Sequence, residues 1–183
     1  MFLGHFAVAA ATKPAAPKIP VWMLFVASQL LDLLFAPLMA LGIEHITVAS
    51  YGEATIQAYY THSLVGALVI SAGAYWLGKR FWKTNTAAWT LAALTFSHWL
   101  LDLIVHRQDM PLLPGNLGRL PLFGIGLWSY PWLSYGLELA VAIVGWLIYA
   151  RWASRNAQPT VRWYMGPAVV AILFLLFIVM DHP

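Results

Sequence analysis

The chain has 183 residues, of which 61% are hydrophobic and only 9% are charged. Because a soluble domain carries about 25% charged residues, this composition excludes a soluble globular protein and predicts an integral membrane protein. The net charge of +3 comes from ten lysines and arginines spread through the segments between apolar runs, so it does not indicate a nucleic-acid-binding surface.

The apolar segments predict a single domain with a half-helix and five membrane spans. The first segment, residues 2–12, has about half the length needed to cross a bilayer and predicts a half-helix or re-entrant segment. Five longer segments of about 20 residues follow, near residues 20–42, 60–78, 86–106, 131–150 and 164–181. The expected fold class is an all-α integral membrane protein, a bundle of five transmembrane helices plus the half-helix. Pro37 is expected to kink the first span.

The distribution of lysine and arginine predicts how these spans are oriented. Eight basic residues lie on one side of the predicted membrane, and two, Arg107 and Arg119, lie on the other. The eight are Lys13, Lys18, Lys79, Arg80, Lys83, Arg151, Arg155 and Arg162. Since cytoplasmic loops are enriched in basic residues, we expect the N-terminus to be cytoplasmic and the C-terminus to be outside.

The longest predicted outer loop, residues 107–130, is rich in glycine and proline but also in apolar residues. A loop of this kind either dips into the membrane interface and covers a cavity, or skims the lipid headgroups. Asp109 at its start and His45 in the preceding outer loop are expected to be solvated, as is His182 in the tail.

The third span carries a polar stripe. His98, Asp102 and His106 recur at a spacing of four, which places them on one face of a helix, and all residues between them are apolar. A single histidine in a membrane helix commonly bonds to a neighbouring helix, and His106 alone could be an interfacial side chain. Three ionisable residues on one stripe instead favour an inward-facing functional site, with a bound metal as the first hypothesis.

Further polar residues are predicted to converge at the level of this stripe. Asp32 lies in the first span, His62 opens the second and Glu138 lies in the fourth, while His5 on the half-helix approaches from the cytoplasmic side. At about 1.5 Å per residue, these side chains fall in the outer half of the membrane. Because no lysine or arginine lies in a predicted span, the acids Asp32, Asp102 and Glu138 need either protonation or a bound cation.

The available donor atoms restrict the metal. The chain has no cysteine, so a site built from imidazole and carboxylate suits zinc first, with manganese or iron as alternatives. The expected ligands are Asp32, His62, His98 and Asp102, with His5 and His106 as further ligands and Glu138 as a general base or additional ligand. Such a set could hold one ion, or two ions about 3.5–4 Å apart.

Four short motifs resemble those of a known family. Gly4-His5, Asp32, Thr61-His62-Ser63 and the run from Ser97 to His106, which reads S-H-x-x-x-D-x-x-x-H, appear in that order. The pattern resembles the YdjM-like family of membrane-bound metal-dependent hydrolases, which are bacterial inner-membrane proteins. The resemblance covers roughly residues 1–110 and implies a multi-pass protein of the inner membrane with hydrolase activity.

The sequence therefore predicts a metal-dependent hydrolase that acts within the membrane on an ester or phosphoester. Its expected partners are membrane lipids and an amphiphilic or periplasmic small-molecule substrate. Three alternatives stay open: a small metal- or ion-binding permease, a non-catalytic membrane subunit with a structural metal, and di-iron oxidation chemistry. Five spans without an evident inverted repeat argue against the permease.

Overall fold

The computed structural model describes residues 2–47, 55–156 and 164–180. Within these ranges the chain forms seven α-helices and one two-stranded antiparallel hairpin, so the predicted all-α class is confirmed. The elements are α1 (Phe2–Thr12), α2 (Val21–Ser28), α3 (Leu30–Ala40), β1 (His45–Thr47), β2 (Thr55–Gln57), α4 (Leu64–Trp82), α5 (Asn85–Val105), α6 (Pro131–Arg155) and α7 (Met165–Met180). Arg162, His182 and the C-terminal end of the chain lie outside the described residues.

Each predicted span coincides with a helix or a pair of helices. In the described part of the chain, α5 and α6 are each long and apolar enough to cross a membrane, and the pair α2–α3 counts as a third span if its halves are taken together. The other two predicted spans are shorter or more charged, since α4 has 19 residues and ends with Lys79 and Arg80, and α7 has 16 residues. These helices make the protein apolar enough to associate with a membrane.

The half-helix α1 lies inside the bundle. Six of its 11 residues are buried, His5 among them, and the helix contacts α2, α5, α6 and α7. It approaches α6 closely at Gly145, where a Cβ atom would lie 2.3 Å from the carbonyl oxygen of Ala7. Small residues at a helix crossing allow this close backbone packing. Packing against the neighbouring helices therefore fixes the position of α1, although this helix has only about half the length of a membrane span.

Basic residues from three parts of the chain gather at one end of the bundle. Lys13, directly after α1, donates hydrogen bonds to two backbone carbonyl oxygens and lies 4.9 Å from the centre of the Trp152 ring, near the end of α6. Ile19 packs in the same apolar cluster as Ala87 at the start of α5. The basic turn between α4 and α5 therefore lies at this end as well. The predicted metal ligands lie toward the opposite end, where α4 begins and α5 ends.

The bend in the first predicted span is at Gln29 and not at Pro37. Pro37 lies inside α3, whereas the helix direction changes by 53° between α2 and α3. At the break, the amide of Gln29 is shared between the carbonyl oxygens of Phe25 and Val26, both at 3.2 Å. This tightened last turn, rather than the missing amide of the proline, interrupts the regular helix.

The loop at residues 107–130 folds back over the ends of α4 and α5. The carbonyl oxygens of Pro111 and Leu112 accept hydrogen bonds from the first amides of α4, and the amides of Ile125 and Gly126 donate to carbonyl oxygens at the end of α5. These bonds satisfy helix-end groups that would otherwise lack partners. The loop thus covers the end of the bundle that holds the predicted ligands. The β1–β2 hairpin, which the sequence did not predict, lies at the same end, where Ile46 and Ile56 line the cavity beside these ligands.

Candidate metal centre

All six predicted metal ligands lie together, and we refer to them as the polar cluster. They are His5 on α1, Asp32 on α3, His62 in the turn before α4, His98 and Asp102 on α5, and His106 directly after α5. All of them except His98 line one cavity. The cavity has a volume of about 260 Å³. Its apolar walls are formed by Phe2, Phe35, Ile46, Ile56 and Trp128.

Asp102 contacts several histidines of the polar cluster. Its Oδ2 atom lies 3.0 Å from His98 Nε2 and 3.5 Å from His62 Nε2, and its Oδ1 atom lies 3.2 Å from His5 Nε2. His106 Nε2 is farther away, at 3.9 Å from Oδ2. One carboxylate thus faces imidazole nitrogens that come from α1, from α5 and from the turn before α4.

Asp32 completes the polar cluster on the side of α3. Its Oδ1 atom lies 3.3 Å from His62 Nε2 and 3.5 Å from His98 Nε2. The Asp32 side chain is 39% exposed, whereas the side chains of Asp102 and the four histidines are at most 5% exposed. The polar cluster is therefore buried except at Asp32, which is the side from which another molecule can reach it.

The protonation of His98 follows from its backbone partner. The Nδ1 atom of His98 lies 2.7 Å from the carbonyl oxygen of Ser28. A carbonyl oxygen can only accept a hydrogen bond, so Nδ1 carries the proton. The Nε2 atom of a neutral His98 then has a free lone pair directed into the polar cluster, which is the form of histidine that binds metals.

His62 is oriented by a chain of hydrogen bonds that begins at Glu44. This fully buried carboxylate accepts the amides of Tyr60 and Thr61 at Oε1, at 2.7 and 3.0 Å, and the Thr61 hydroxyl at Oε2, at 2.9 Å. Because the Thr61 hydrogen is directed to Glu44, the Thr61 oxygen accepts from His62 Nδ1, 2.9 Å away. A neutral His62 therefore also presents an unprotonated Nε2 to the polar cluster.

The turn that carries His62 is held by further contacts. The Trp99 indole donates to the His62 carbonyl oxygen at 2.9 Å, and the Ser63 hydroxyl caps α4 by accepting the amide of Gly66 at 2.9 Å. A Cβ atom at Gly66 would lie 1.9 Å from the carbonyl oxygen of Tyr60, so only glycine fits this turn. The Thr61-His62-Ser63 motif thus contains one side chain for the cluster and two that support its position.

Asp109 supports His106, and its predicted position in water is wrong. Its Oδ1 atom lies 2.9 Å from His106 Nδ1, and its side chain is only 12% exposed. The sequence placed Asp109 outside the predicted span but gave no sign that the following loop folds back over His106. As a carboxylate accepts only, His106 Nδ1 is the donor, and its Nε2 is free to face the polar cluster. Trp128 of the same loop packs against the His106 ring at 4.4 Å between ring centres.

When the histidines are neutral, these tautomers direct their lone pairs into the polar cluster, as metal binding requires. His62 Nε2 and His98 Nε2 are 3.3 Å apart, and when both rings are neutral with the proton on Nδ1, no hydrogen bond joins them. The five distances among Asp32, His62, His98 and Asp102 that involve a histidine nitrogen are 3.0–3.5 Å. Ligands of a tetrahedral zinc ion, bound at about 2.0–2.1 Å, are separated by about 3.3 Å. The buried histidines and aspartates can therefore hold a metal ion, in two overlapping groups that share His98.

Glu138 and His5 are linked through α1. The Glu138 carboxylate accepts the amide of Gly4 at 3.0 Å, beside the start of the helix, where a negative charge is favourable. His5 follows directly, and its ring stacks on His98 with 3.8 Å between ring centres. Glu138 is absent from the two ligand groups found in the described ranges, so its predicted role as base or ligand stays a prediction.

All acidic residues in the described ranges either belong to the polar cluster or support one of its members. The chain has seven acidic residues, and Glu53 and Asp181 lie outside the described ranges. Asp32 and Asp102 belong to the polar cluster, while the other three support it: Glu44 acts through Thr61, Asp109 contacts His106, and Glu138 contacts α1. The sequence did not predict the role of Glu44, because a residue in an outer loop is expected to be solvated. Its hydrogen-bond partner Thr61 lies in the Thr61-His62-Ser63 motif, but Glu44 itself lies in no recognised motif.

Comparisons with known proteins do not assign a function to this site. No family model, curated protein or solved structure matches the chain. The chemistry of the polar cluster is therefore the basis for any functional assignment.

The hydrogen-bond chain behind His62 predicts a specific effect of Glu44→Gln. The Gln oxygen would keep the two backbone amides, so its NH₂ group would donate to Thr61, whose hydroxyl would then donate to His62 Nδ1. That reversal places the proton on His62 Nε2 and removes a ligand. We expect metal affinity, measured by chelator competition, to fall about 10–100-fold, as for other residues that orient metal ligands.

Two variants of Thr61 provide the matched controls. Thr61→Val removes the acceptor for His62 Nδ1 at nearly unchanged volume and should weaken metal binding like Glu44→Gln. Thr61→Ser retains the hydroxyl and should bind metal like the original chain. Equal metal affinity in Thr61→Val and Thr61→Ser would contradict the assigned proton positions.

Proposed function

We propose that this protein is an integral-membrane, metal-dependent hydrolase of the YdjM-like type. The observation that supports the proposal most is the arrangement of His62 and His98, whose free Nε2 lone pairs face each other at 3.3 Å beside two carboxylates. With both imidazoles neutral, this arrangement brings lone pairs and negative charges together in a buried space, at a high cost in free energy. A divalent cation relieves that repulsion.

Zinc fits the donor set best. Neutral imidazoles and carboxylates are ordinary zinc ligands, and the spacing of the donors matches a tetrahedral ion. Because His98 belongs to both ligand groups, the polar cluster has donors for one ion or for two. Manganese and iron accept the same donors and are the alternatives.

Hydrolysis is the reaction that this donor set and its surroundings support best. A bound divalent ion supplies a Lewis acid that polarises an ester or phosphoester and promotes the attack of water. Asp32, the exposed member of the polar cluster, lies where substrate meets the ligands. The apolar walls, which include Phe35 and Trp128, exclude bulk water and suit an amphiphilic substrate that enters from the lipid or the periplasmic side.

The membrane arrangement of this proposal has five spans: α2–α3, α4, α5, α6 and α7. The end of the bundle that carries Lys13 and the α4–α5 turn faces the cytoplasm, in line with the positive-inside rule. The polar cluster then lies in the outer half of a bacterial inner membrane, and α1 rises to it from the cytoplasmic side. The C-terminus faces the outside.

Replacing a ligand tests both the metal and the reaction. In His98→Ala, we expect the loss of bound zinc, measured by elemental analysis of the purified protein, and the loss of hydrolysis across a panel of esters and phosphoesters. His45→Ala is the matched control because His45 lies exposed on β1, and both zinc and turnover should be retained.

Other outcomes of this experiment favour the other functions. Stoichiometric zinc without hydrolysis of any substrate, and without metal flux into vesicles, would support a structural metal in a non-catalytic subunit. Metal flux without hydrolysis would support the permease. A purified protein that binds no divalent metal would contradict the metal site itself.

Glu138→Gln separates a positioning role from base catalysis. If Glu138 mainly holds α1, the Gln oxygen can still accept the Gly4 amide, so we expect zinc to stay bound and turnover to change less than about tenfold. A general base is lost in the same variant, and its removal lowers turnover by about 10²–10⁴-fold. Turnover at saturating substrate and zinc content, measured together, decide between the two roles.

A further inference from the structure

The two ligand groups found in the described ranges compete for one nitrogen atom. One group is His5, His98 and Asp102, and the other is Asp32, His62 and His98. The Nδ1 atom of His98 already faces the carbonyl oxygen of Ser28 at 2.7 Å, so only its Nε2 atom can bind a metal. A neutral imidazole has a single nitrogen lone pair and therefore binds one ion. The two groups are thus alternatives, and an ion in one of them removes a ligand from the other.

The separation of the imidazole rings distinguishes the two groups. Two imidazoles on one tetrahedral zinc ion, bound through nitrogens at about 2.0–2.1 Å, have ring centres about 5.2 Å apart. The ring centres of His62 and His98 are 5.3 Å apart, and their planes are inclined at 63°. His5 instead stacks on His98, with 3.8 Å between ring centres and 7° between planes. Even two ligands at right angles on one ion would have ring centres about 4.5 Å apart. In this arrangement His98 can therefore share an ion with His62 but not with His5.

His5 also lacks the support that the other histidines of the polar cluster have. A histidine that binds a metal through one nitrogen carries its proton on the other, and that N–H group almost always has an acceptor. The other three rings each have such an acceptor at Nδ1, which is Thr61 for His62, the Ser28 carbonyl oxygen for His98 and Asp109 for His106. His5 Nδ1 is buried and has no hydrogen-bond partner among the described residues. A proton on His5 Nδ1 would therefore be a buried donor without an acceptor, which is unfavourable.

The Nε2 atom of His5 has a partner that suits the other tautomer. It lies 3.2 Å from Oδ1 of Asp102, and a carboxylate oxygen accepts a hydrogen bond but cannot donate one. With its proton on Nε2, a neutral His5 makes this bond, and only an acceptor, Nδ1, is left without a partner. Oδ2 of the same carboxylate faces the His62 and His98 nitrogens at 3.5 and 3.0 Å. The two oxygens of Asp102 are thus directed to different partners, one to His5 and one toward the His62–His98 pair.

We propose that the polar cluster holds a single divalent ion, and that His5 is not a ligand but a positioning residue that donates a hydrogen bond from Nε2 to Asp102. The ion is bound between His62 and His98, with Asp32 and Oδ2 of Asp102 beside them. The bond from His5 fixes the rotation of the Asp102 carboxylate and so holds Oδ2 on the side of the ion. This inference rests on the metal site of the proposed hydrolase, and it selects single-ion hydrolysis over a mechanism with two adjacent ions.

NMR of the zinc-loaded protein in nanodiscs tests this assignment on the original chain. The ring nitrogens of the histidines are isotope-labelled, and each ring is assigned through correlations with its own backbone. We expect His5 to carry its proton on Nε2, and His62 and His98 to carry theirs on Nδ1 with zinc on Nε2. A His5 ring with its proton on Nδ1 and zinc on Nε2 would overturn the proposal.

Two variants of His5 separate hydrogen bonding from metal ligation. His5→Gln keeps an N–H donor near the position of Nε2, whereas His5→Phe keeps a flat ring against His98 and removes the donor. We expect both variants to bind one zinc ion per chain at saturation, as the original chain does, by elemental analysis. Zinc affinity, measured by chelator competition, should fall about 10–100-fold in His5→Phe and less than about threefold in His5→Gln, because the amide restores the bond to Asp102.

Two other results for these variants would contradict the assignment. Two zinc ions per chain in the original protein and one in both variants would identify His5 as a ligand of a second ion. An equal loss of zinc affinity in His5→Gln and His5→Phe would show that the hydrogen bond to Asp102 does not position the carboxylate.

Failure of this inference and failure of the hydrolase proposal give different results. If two zinc ions bind and an ester or phosphoester is hydrolysed, the single-ion assignment is wrong and the hydrolase proposal stands. If one zinc ion binds with the expected tautomers but no substrate is hydrolysed, the hydrolase proposal is wrong and the single-ion site stands. A protein that binds no zinc would overturn both.

Discussion

The structure depends on one electrostatic constraint, the approach of the His62 and His98 Nε2 atoms to each other and to two carboxylates. Both Nδ1 protons are already directed to oxygen acceptors, at Thr61 and at the Ser28 backbone. When both rings are neutral, their Nε2 lone pairs therefore face each other at 3.3 Å. In a buried site this arrangement is costly unless a cation, or a proton on one of the two Nε2 atoms, lies between the donors.

Several unusual features of the fold hold the polar cluster in this arrangement. The half-helix α1 has the length needed to place His5 beside Asp102, and Glu138 and the close contact at Gly145 hold it there. The break at Gln29 separates α2, whose backbone fixes His98, from α3, which carries Asp32. The loop after α5 brings Asp109 and Trp128 to His106. Each of these elements departs from a simple membrane-spanning helix, and each contacts the polar cluster.

The sequence predicted the parts of the site that depend on helical periodicity. The spacing of four in α5, the half-length of α1 and the shortage of buried basic residues were sufficient to assign all six residues to one place. Periodicity says nothing about how loops fold, so Asp109 was placed in water and no role was predicted for Glu44, although both orient a histidine. The bend was assigned to Pro37 because proline is the usual cause, whereas a local change in hydrogen bonding places it at Gln29.

X-ray absorption spectroscopy of the zinc-loaded protein tests the central claim most directly. We predict nitrogen and oxygen ligands at about 2.0–2.1 Å, with no sulfur at about 2.3 Å. The outer-shell scattering should require at least two imidazole rings, those of His62 and His98. Zinc bound without imidazole scattering would show that the metal lies elsewhere. A failure to bind any divalent metal would contradict the account.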